Sequence, residues 1–337
     1  MLICPAVVFE GRFEVVVRDV RLPDPGPGDV VVRTLLSGIS AGTERWTLTG
    51  RYGGIDATYP FVPGYQRVGI VEWVGPDVVD RRVGDAVFIN QTRLDEPSLR
   101  DKHWTGHIGY SVAPGGAALP LPAGLALAEA AISPLAAVAW NGIKMAGVAS
   151  GELVVVLGQG VIGQMSGQLA RLRGATVLAT DLFPERRRLS AQYSADEVVE
   201  PDPATLREAV ARHRPAGADV VIDTTGRSDV FALMVELVRE RGRICLQGYY
   251  PDPIGIDPHP THLKQPAVLF TCYWVDHEVV LGWLARGQLT MRPFIARTFD
   301  HVDAPAAYRL LVDDPGGMMT ALLSWETQPR LQVPANR

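Results

Sequence analysis

The stretch 154–170, VVVLGQGVIGQMSGQLA, changes character at its fifth residue. An apolar run of strand length ends, three glycines follow in the spacing Gly158-x-Gly160-x-x-Gly163, and a helix-forming segment begins. About 20 residues further on, Asp181 ends the next apolar run, TVLATD. The glycine pattern alone is weak, but a strand before it, a helix after it and an acidic residue at this distance are the context that a dinucleotide-binding turn requires.

Each glycine of this turn has a physical role. Gly158 permits the tight turn, Gly160 lets the backbone approach a pyrophosphate, and Gly163 lets the helix pack closely on the strand. The N-terminus of the helix then faces the negative charge of the phosphates. The predicted cofactor contacts in this turn also include Gln159, Val161 and Ile162.

The residue after the second strand bears on the choice of cofactor. Asp181 can accept hydrogen bonds from both hydroxyls of a ribose, and its charge would repel a 2′-phosphate. The sequence therefore predicts NAD(H) rather than NADP(H). Arg186 to Arg188 leave an alternative open, because one of them could reach a phosphate, although they are also typical solvated helix residues. Arg186 is the one we predict to contact the cofactor.

Outward from the turn, short apolar strands alternate with amphipathic helices from residue 153 to about residue 275. This alternation predicts a six-stranded parallel sheet that is covered on both faces, which is a doubly wound α/β domain. Before it, β-rich runs alternate with Gly/Pro turns, which predicts a β-rich domain. We expect residues 125–271 to form the dinucleotide-binding domain, and residues 1–124 together with 272–337 to form the other.

Composition excludes several classes of protein. The 337 residues carry a formal net charge of −5 with no block of like charge, which argues against nucleic acid or a membrane surface as a partner. Three widely spaced cysteines fit neither a disulfide framework nor a close-spaced zinc site, so we expect a cytoplasmic protein. No apolar run approaches the roughly 18 residues of a membrane helix, and the N-terminus does not read as a signal peptide.

Several landmarks carry a resemblance to a known family. They are the glycine turn, VPGYQRVGIVEWVG at 62–75, VGDAVF at 83–88 and GHIGYSVAP at 106–114. The chain resembles the medium-chain dehydrogenases/reductases over nearly its whole length. Within that superfamily, SGISAGTE at 37–44, VPGYQ and GYYPDPI at 248–254 are most similar to the bacteriochlorophyllide dehydrogenases, and a sister group in specialised metabolism would fit equally. The resemblance implies a GroES-like catalytic domain, a Rossmann domain and a homodimer.

In zinc-dependent members of the superfamily, a cysteine, the histidine of a Gly-His-Glu and a later Cys, Glu or Asp hold the catalytic metal. At matching positions this chain has Ser40, then Tyr65 within Gly64-Tyr65-Gln66, then Ser133 or Pro134. These are not the thiolate, imidazole or carboxylate ligands that zinc prefers, so we predict a zinc-independent enzyme.

The absence of zinc has an energetic consequence. A zinc-bound hydroxyl can lose ~8–9 pKa units, roughly 11–12 kcal/mol. A positioned general base contributes about 3–5.5 kcal/mol. We therefore expect a conjugated substrate that helps its own activation.

The resemblance also suggests site residues. Ser40, Thr43, Glu44 and Tyr65 are the candidate catalytic groups, since each carries a hydroxyl or a carboxylate near the expected nicotinamide. Alternatively, Ser40 and Thr43 satisfy a turn, and Glu44 forms a buried ion pair, for example with Arg45 or Arg67. The candidate substrate contacts are Trp46, Trp104, His107, Trp140, Tyr249 and Trp274, and the remaining candidate cofactor contacts are Thr224, Gly248 and Tyr249.

Three functions remain open at this point. The first is an NAD(H)-dependent, zinc-independent oxidoreductase that moves hydride between the nicotinamide and a secondary alcohol or ketone on a bulky, conjugated substrate. The second is a quinone or enoyl reductase that uses NAD(P)H. The third is a non-catalytic NAD(H)-binding protein.

Overall fold

The computed structural model describes residues 2–52, 58–100, 105–273, 275–314 and 316–331. The strands, numbered along the chain, are β1 (Leu2–Gly11), β2 (Glu14–Leu22), β3 (Asp29–Ile39), β4 (Arg67–Val74), β5 (Ala86–Phe88), β6 (Tyr110–Pro114), β7 (Leu119–Pro120), β8 (Leu153–Leu157), β9 (Thr176–Thr180), β10 (Glu197–Val198), β11 (Ala218–Asp223), β12 (Val238–Leu246), β13 (Ala267–Phe270), β14 (Ile295–Asp300) and β15 (Thr320–Ser324). The α-helices are α1 (Ala41–Leu48), α2 (Leu127–Met145), α3 (Val161–Leu172), α4 (Pro184–Tyr193), α5 (Pro203–His213), α6 (Phe231–Leu237), α7 (Pro258–Lys264), α8 (His277–Ala285) and α9 (Ala304–Asp313). None of the described helices combines the length and the apolar character needed to span a membrane.

The chain forms two compact units, of which unit 2 comprises residues 134–293. Its sheet has the order β10-β9-β8-β11-β12-β13, and every neighbouring pair is parallel. All residues of β8 and β11 are buried, as expected for central strands covered on both faces. The predicted six-stranded parallel sheet is confirmed. Its order reverses between β8 and β11, where open α/β sheets bind their ligands.

Unit 1 comprises residues 1–133 and 294–337. It contains the antiparallel pair β1-β2 and a larger sheet of order β14-β15-β3-β4-β5-β7, with β6 also paired to β3. The chain returns to this unit after unit 2, because β15 pairs antiparallel with β3 and β14 pairs with β15. A core of aliphatic and aromatic side chains that includes Phe9, Phe61 and Trp325 joins the returning segment to the first strands.

The junctions between the units fall later than the predicted residues 124/125 and 271/272. The first lies within α2, whose Ile132 packs against Gly38 of β3 in unit 1. The second follows α8, which packs within unit 2: the ring of Trp283 on α8 meets that of Trp140 edge-on at 4.9 Å. Helix α8 thus belongs to the dinucleotide-binding unit, although we expected it in the other.

One predicted helix is also shorter than expected. The segment 229–240 has a helical pattern, but α6 ends at Leu237 and the chain continues directly into β12. Val238 pairs with Ala218 of β11, and Arg239 Nε donates to the carboxylate of Asp219 at 2.8 Å. These contacts with the neighbouring strand favour the extended conformation over the helix that the local pattern indicates.

Candidate active site

The glycine turn of unit 2 follows β8 and leads into α3. Gly158 has φ +86°, and a Cβ there would lie 2.8–2.9 Å from side-chain atoms of Thr225 and Thr224. A Cβ on Gly163 would lie only 2.0 Å from the carbonyl oxygen of Gly158, so this glycine sets how closely α3 packs on the turn. A Cβ on Gly160 would meet no atom within 4 Å. Gly160 therefore faces open space, as expected where the backbone approaches a pyrophosphate.

Asp181 lies directly after β9, and its carboxylate is nearly buried. Its two oxygens accept the backbone N–H groups of Gln159 at 2.6 Å and Phe183 at 2.8 Å. Nη1 of Arg186 lies 3.8 Å from the same carboxylate, and its guanidinium stacks on the ring of Phe183 at 4.7 Å. Each carboxylate oxygen retains a lone pair for a ribose hydroxyl, because a carboxylate can accept about four hydrogen bonds.

The other residues of the turn have different environments. The side chain of Gln159 is buried and accepts the hydroxyl of Ser190 at 2.7 Å, so only its backbone faces Asp181. Val161 is buried, while Ile162 is partly exposed at the start of α3. Gln164 extends this polar network by donating to the carbonyl of Arg186 at 3.1 Å, which fixes the start of α4 beside Asp181.

Two loops at the carboxyl ends of β11 and β12 lie beside the glycine turn. The Thr224 hydroxyl donates to the carbonyl oxygen of Gly158 at 2.9 Å. Gly248 approaches Gly226 so closely that a Cβ on Gly248 would lie 2.4 Å from its nitrogen. Tyr249, which follows Gly248, is partly exposed. The structure thus brings these candidate cofactor residues to one edge of the sheet with the glycine turn.

These features fit a nicotinamide dinucleotide. Gly160 leaves space at the N-terminus of α3, the backbone N–H groups there are available to an anion, and Asp181 supplies acceptors at the end of the neighbouring strand.

In unit 1, the structure brings together two hydroxyl side chains that stand where zinc-dependent relatives carry ligands. Tyr65 Oη donates to Ser40 Oγ at 2.8 Å. Burial raises the pKa of Tyr65 to about 12, while its hydrogen bonds with the side chains of Ser40 and Thr43 act in the opposite direction. At neutral pH the phenol is therefore protonated and acts as a hydrogen-bond donor. Thr43 completes a cluster of three hydroxyls at the start of α1.

Glu44 lies on α1 with its carboxylate 1% exposed. We expected Arg45 or Arg67 as its ion-pair partner, but the structure gives other partners. His107 Nε2 lies 3.0 Å from Oε2, the phenol of Tyr308 donates to the same oxygen, and the backbone N–H of Ser40 donates to Oε1 at 2.8 Å. The carboxylate thus accepts three hydrogen bonds. In this arrangement it fixes the backbone of Ser40 and is not exposed to a substrate.

The chain of hydrogen bonds continues behind His107. Its Nδ1 lies 2.7 Å from Ser37 Oγ, which also accepts the indole N–H of Trp325 at 2.9 Å. Since an indole nitrogen can only donate, Ser37 accepts from Trp325 and can donate its own proton to Nδ1. With a proton on Nε2, His107 donates to Glu44 and accepts from Ser37, so every member of the network has a hydrogen-bond partner.

His107 is fully buried, so its ring lies in this network rather than on an exposed wall. It also packs on the backbone before Tyr65, because a Cβ on Gly64 would lie 2.6 Å from the imidazole. We define Glu44, His107, Tyr308, Ser37 and Trp325 as the Glu44 network. It holds the backbone of Ser40 through Glu44 and packs against Gly64, next to Tyr65, through His107.

The third position expected for a metal ligand has a structural use. Pro134 lies inside α2 and has no N–H for the carbonyl of Ala130. The Ser133 hydroxyl donates to that carbonyl at 2.7 Å and takes the place of the missing bond. Among the described residues, no group of three or more His, Cys, Asp or Glu side chains could hold a metal ion. At the three positions, the Ser40 and Tyr65 hydroxyls are hydrogen-bonded to each other, and the Ser133 hydroxyl is hydrogen-bonded to its own helix. Such hydroxyls are not the thiolate, imidazole or carboxylate ligands that zinc prefers.

The aromatic candidates are distributed over both units. In unit 1, Trp46 lies on α1 with the guanidinium groups of Arg45 and Arg51 at 5.1 and 4.9 Å from its ring. In unit 2, the indole N–H of Trp140 donates to Asp276 at 3.0 Å, and its ring meets that of Trp283 edge-on at 4.9 Å. Trp104 and Trp274 lie outside the described residues. The substrate contacts therefore stay a prediction.

Sequence reasoning missed the residues that complete the two polar networks. Tyr308 and Trp325 lie more than 200 residues from their partners, and Ser37 begins SGISAGTE but was not singled out as a site residue. In unit 2, the buried Asp223 and its partner Tyr250 were also missed, although GYYPDPI was noted. The signal available for Asp223 was its place after an apolar strand, where polar side chains of parallel sheets collect at one edge.

Comparisons with known proteins agree with this architecture. A family model described as zinc-binding dehydrogenase matches residues 161–282, and one described as alcohol dehydrogenase GroES-like domain matches residues 26–139. An alcohol dehydrogenase from Rhizobium meliloti (strain 1021) is 30% identical over 288 residues, which is 80% of this chain and 83% of that protein. A 2-desacetyl-2-hydroxyethyl bacteriochlorophyllide A dehydrogenase from Cereibacter sphaeroides is 28% identical and covers 95% of this chain and 98% of its own.

A solved structure shows the same fold. The crystal structure of a protein from Sinorhizobium meliloti 1021, described as a zinc-binding dehydrogenase and bound to NADP, has a TM-score of 0.83 at 26% identity and covers 96% of this chain and 99% of its own. The predicted combination of a GroES-like domain and a Rossmann domain is confirmed.

Two glycines of the turn give opposite predictions. Gly160→Ala should leave the melting temperature unchanged, because a Cβ there meets no atom within 4 Å, but it should weaken NADH binding because the methyl group occupies the approach to the pyrophosphate. Gly163→Ala should destabilise unit 2 by about 1–3 kcal/mol through overpacking. Calorimetric titration and thermal melting check both, with Gly116→Ala as the harmless control, since its Cβ would also meet nothing. Equal melting temperatures for the Gly160 and Gly163 variants would contradict this reading.

The Glu44 network predicts a ranking of stabilities. Glu44→Gln leaves one acceptor oxygen for three buried donors and should cost roughly 3–6 kcal/mol, the scale of two lost hydrogen bonds to a charged group at about 1.5–3 kcal/mol each. Tyr308→Phe removes one hydrogen bond to that charge and should cost about 1.5–3 kcal/mol. Urea unfolding of the chain measures both. The control Glu185→Gln, at an exposed pair with Arg188, should leave the urea midpoint unchanged. A Glu44→Gln chain as stable as wild type would show that the carboxylate is not buried as described.

Proposed function

This chain belongs to the medium-chain dehydrogenase/reductase superfamily, as an oxidoreductase of the alcohol dehydrogenase type that uses a nicotinamide dinucleotide, and we propose that it works without a catalytic zinc ion. The observation that carries this proposal is the hydrogen bond of 2.8 Å between Tyr65 Oη and Ser40 Oγ. Two positions that supply zinc ligands in metal-dependent relatives hold hydroxyls that satisfy one another, while Glu44 and His107 are engaged elsewhere.

In this proposal, the hydroxyl pair binds the oxygen of the substrate. Ser40 accepts from Tyr65 and can donate its own proton to a carbonyl oxygen. When bound, the nicotinamide supplies or accepts the hydride at C4. In the reducing direction, the substrate oxygen would take a proton from Ser40, Ser40 would regain one from Tyr65, and Tyr65 would regain one from solvent before the next turnover. The raised pKa of Tyr65, about 12, still lies below that of a free alcohol, so proton transfer from the phenol to a developing alkoxide is favourable.

We propose a secondary alcohol or ketone on a bulky, conjugated substrate. Hydroxyl donors supply less stabilisation than a Lewis acid, since a general acid or base contributes about 3–5.5 kcal/mol. Conjugation to an extended π-system lowers the activation free energy that the protein itself has to offset. A bacteriochlorophyllide-type hydroxyethyl group is the named candidate, supported by the 28% identical relative, and a tailoring step on a specialised metabolite fits the same chemistry.

A second candidate function is supported by the same hydroxyls. Ser40 and Tyr65 can polarise the carbonyl of an enone or quinone, in which case the hydride goes to the conjugated carbon. The two candidates are separated by comparing alcohol-dependent NADH formation with enone- or quinone-dependent NAD(P)H oxidation.

We also propose a cytoplasmic homodimer formed through β13. This strand is the last of its sheet, and Phe270 on it is 66% exposed. An unpaired strand edge is a ready surface for another copy. Light scattering should give twice the chain mass, and a monomeric mass would overturn the dimer.

Metal content and turnover test the zinc-independent mechanism together. After treatment with a chelator, the enzyme should contain no stoichiometric zinc and keep its NADH-dependent reduction of polycyclic aryl ketones. Tyr65→Phe should lower kcat by roughly 10²- to 10⁴-fold, the range of a lost general acid. Elemental analysis and absorbance at the NADH band measure both. One tightly held zinc ion per subunit, whose removal abolishes turnover, would contradict the zinc-independent mechanism.

Cofactor choice tests the role of Asp181, for which we propose recognition of NAD(H). Asp181→Asn removes the charge that repels a 2′-phosphate while Arg186 stays beside it, so the preference for NADH over NADPH should fall by roughly 10- to 100-fold, the scale of a charged hydrogen bond. Arg186→Ala should weaken NADPH binding more than NADH binding. A wild-type preference for NADPH that Asp181→Asn leaves unchanged would contradict the ribose assignment.

A further inference from the structure

Asp223 is a second buried carboxylate in unit 2, at the carboxyl end of β11. It is 0% exposed, and its strand pairs with β8 on one side and β12 on the other. Oδ1 accepts the hydroxyl of Thr225 at 2.7 Å and its N–H at 3.2 Å. Oδ2 accepts the N–H of Gly226 at 3.3 Å and the phenol of Tyr250. One side chain thus holds its own loop and a residue of the loop after β12.

The backbone of Asp223 binds the second loop as well. Its carbonyl oxygen accepts the N–H groups of Gln247 at 2.8 Å and Gly248 at 3.1 Å. The loops touch at Gly226, where a Cβ would lie 2.3 Å from the carbonyl oxygen of Tyr249. We call residues 223–226 and 247–250 the paired loops. Because they have little free space between them, a change in the position of one loop is transmitted to the other.

The paired loops border the glycine turn on one side only. Thr224 bonds to Gly158, whereas Asp181 lies on the other side, after β9. A dinucleotide crosses the sheet at the switch point between β8 and β11, so its adenosine half lies towards β9 and its nicotinamide half towards β11 and β12. The paired loops therefore lie where the nicotinamide half is expected, and this placement rests on the proposed use of a nicotinamide dinucleotide.

We propose that Tyr250 and Asp223 form a positioning pair that holds the paired loops in the conformation that binds the nicotinamide ring of the cofactor. Tyr250 does not touch the cofactor in this proposal. It acts through Asp223, whose remaining donors come from Thr225 and Gly226. Without the phenol, Oδ2 of this buried carboxylate retains, among the described residues, the longer bond from Gly226, and the loop after β12 loses its hydrogen bond to the Asp223 side chain.

The hydrogen-bond pattern and the electrostatics of the pair support a protonated phenol that donates to the carboxylate. Burial raises the pKa of the Asp223 carboxyl, and the hydrogen bonds from Tyr250 and Thr225 oppose that shift. Burial and the neighbouring carboxylate both raise the pKa of Tyr250 above its ordinary value. The tyrosine proton therefore stays on the phenol, and the pair is a lasting donor–acceptor contact rather than a proton-transfer site.

The test compares two ligands that differ in the nicotinamide. ADP-ribose contains the adenosine, the pyrophosphate and the second ribose, and NADH adds the ring. Tyr250→Phe should weaken NADH binding about tenfold, the scale of one lost hydrogen bond to a charged group, and change ADP-ribose binding less than about twofold. Isothermal titration measures both dissociation constants, and the melting temperature of the free protein shows that the variant folds.

Tyr110→Phe is the matched control, because Tyr110 also donates a phenol proton to a carboxylate, that of Glu72 at 3.3 Å, but in unit 1. It should leave both dissociation constants unchanged. Asp223→Asn provides a second variant and should give the same selective loss for NADH.

Equal weakening of NADH and ADP-ribose binding in Tyr250→Phe, or no weakening, would overturn the positioning role. A wild-type chain that binds neither ligand would instead overturn the proposed use of the cofactor, so the two failures are distinguishable.

Discussion

The carboxylate of Glu44 is 1% exposed, and a charge so far from solvent is stable only if the protein supplies its hydrogen bonds. Its donors come from three places in unit 1: the N-terminus of α1, the segment before β6 and helix α9. Because α9 belongs to the returning segment, the charge ties the end of the chain to its beginning. The positions of the Ser40 and Tyr65 hydroxyls depend on this arrangement. Glu44 fixes the backbone of Ser40, and His107 packs against Gly64, the residue before Tyr65.

Unit 2 uses the same physical solution twice. Asp181 follows β9 and Asp223 ends β11, and each carboxylate accepts backbone N–H groups from the turn it begins. Each also binds a group from a second segment, which is the glycine turn for Asp181 and Tyr250 for Asp223. A buried or nearly buried carboxylate therefore holds the end of a strand and the adjoining turn in one conformation. The acceptor positions that remain on Asp181 are those that we propose for the ribose, whereas those of Asp223 bind donors of the protein.

The sequence predicted those parts of the site whose interacting residues lie close together along the chain. The glycine turn, Asp181 and the parallel sheet follow from spacing and hydrophobic pattern within about 30 residues, the length of a βαβ unit. The partners of Glu44 could not be found in this way, because His107 lies 63 residues from it and Tyr308 lies 264. The residues 238–240 show the same limit for secondary structure: their local pattern favours a helix, but pairing with β11 places them in a strand.

The hydroxyl pair and the position of Glu44 are connected through Ser40. A serine that precedes a helix commonly uses its hydroxyl to cap the first turn, but Ser40 makes no such bond. Its backbone is held by Glu44 instead, so its hydroxyl is available to Tyr65. A hydroxyl engaged in capping would be a poor proton donor to a substrate, because its orientation would be set by the helix. By fixing the backbone of Ser40 independently of its side chain, the buried carboxylate leaves that hydroxyl for the proton transfer that we propose, in which Glu44 itself takes no part.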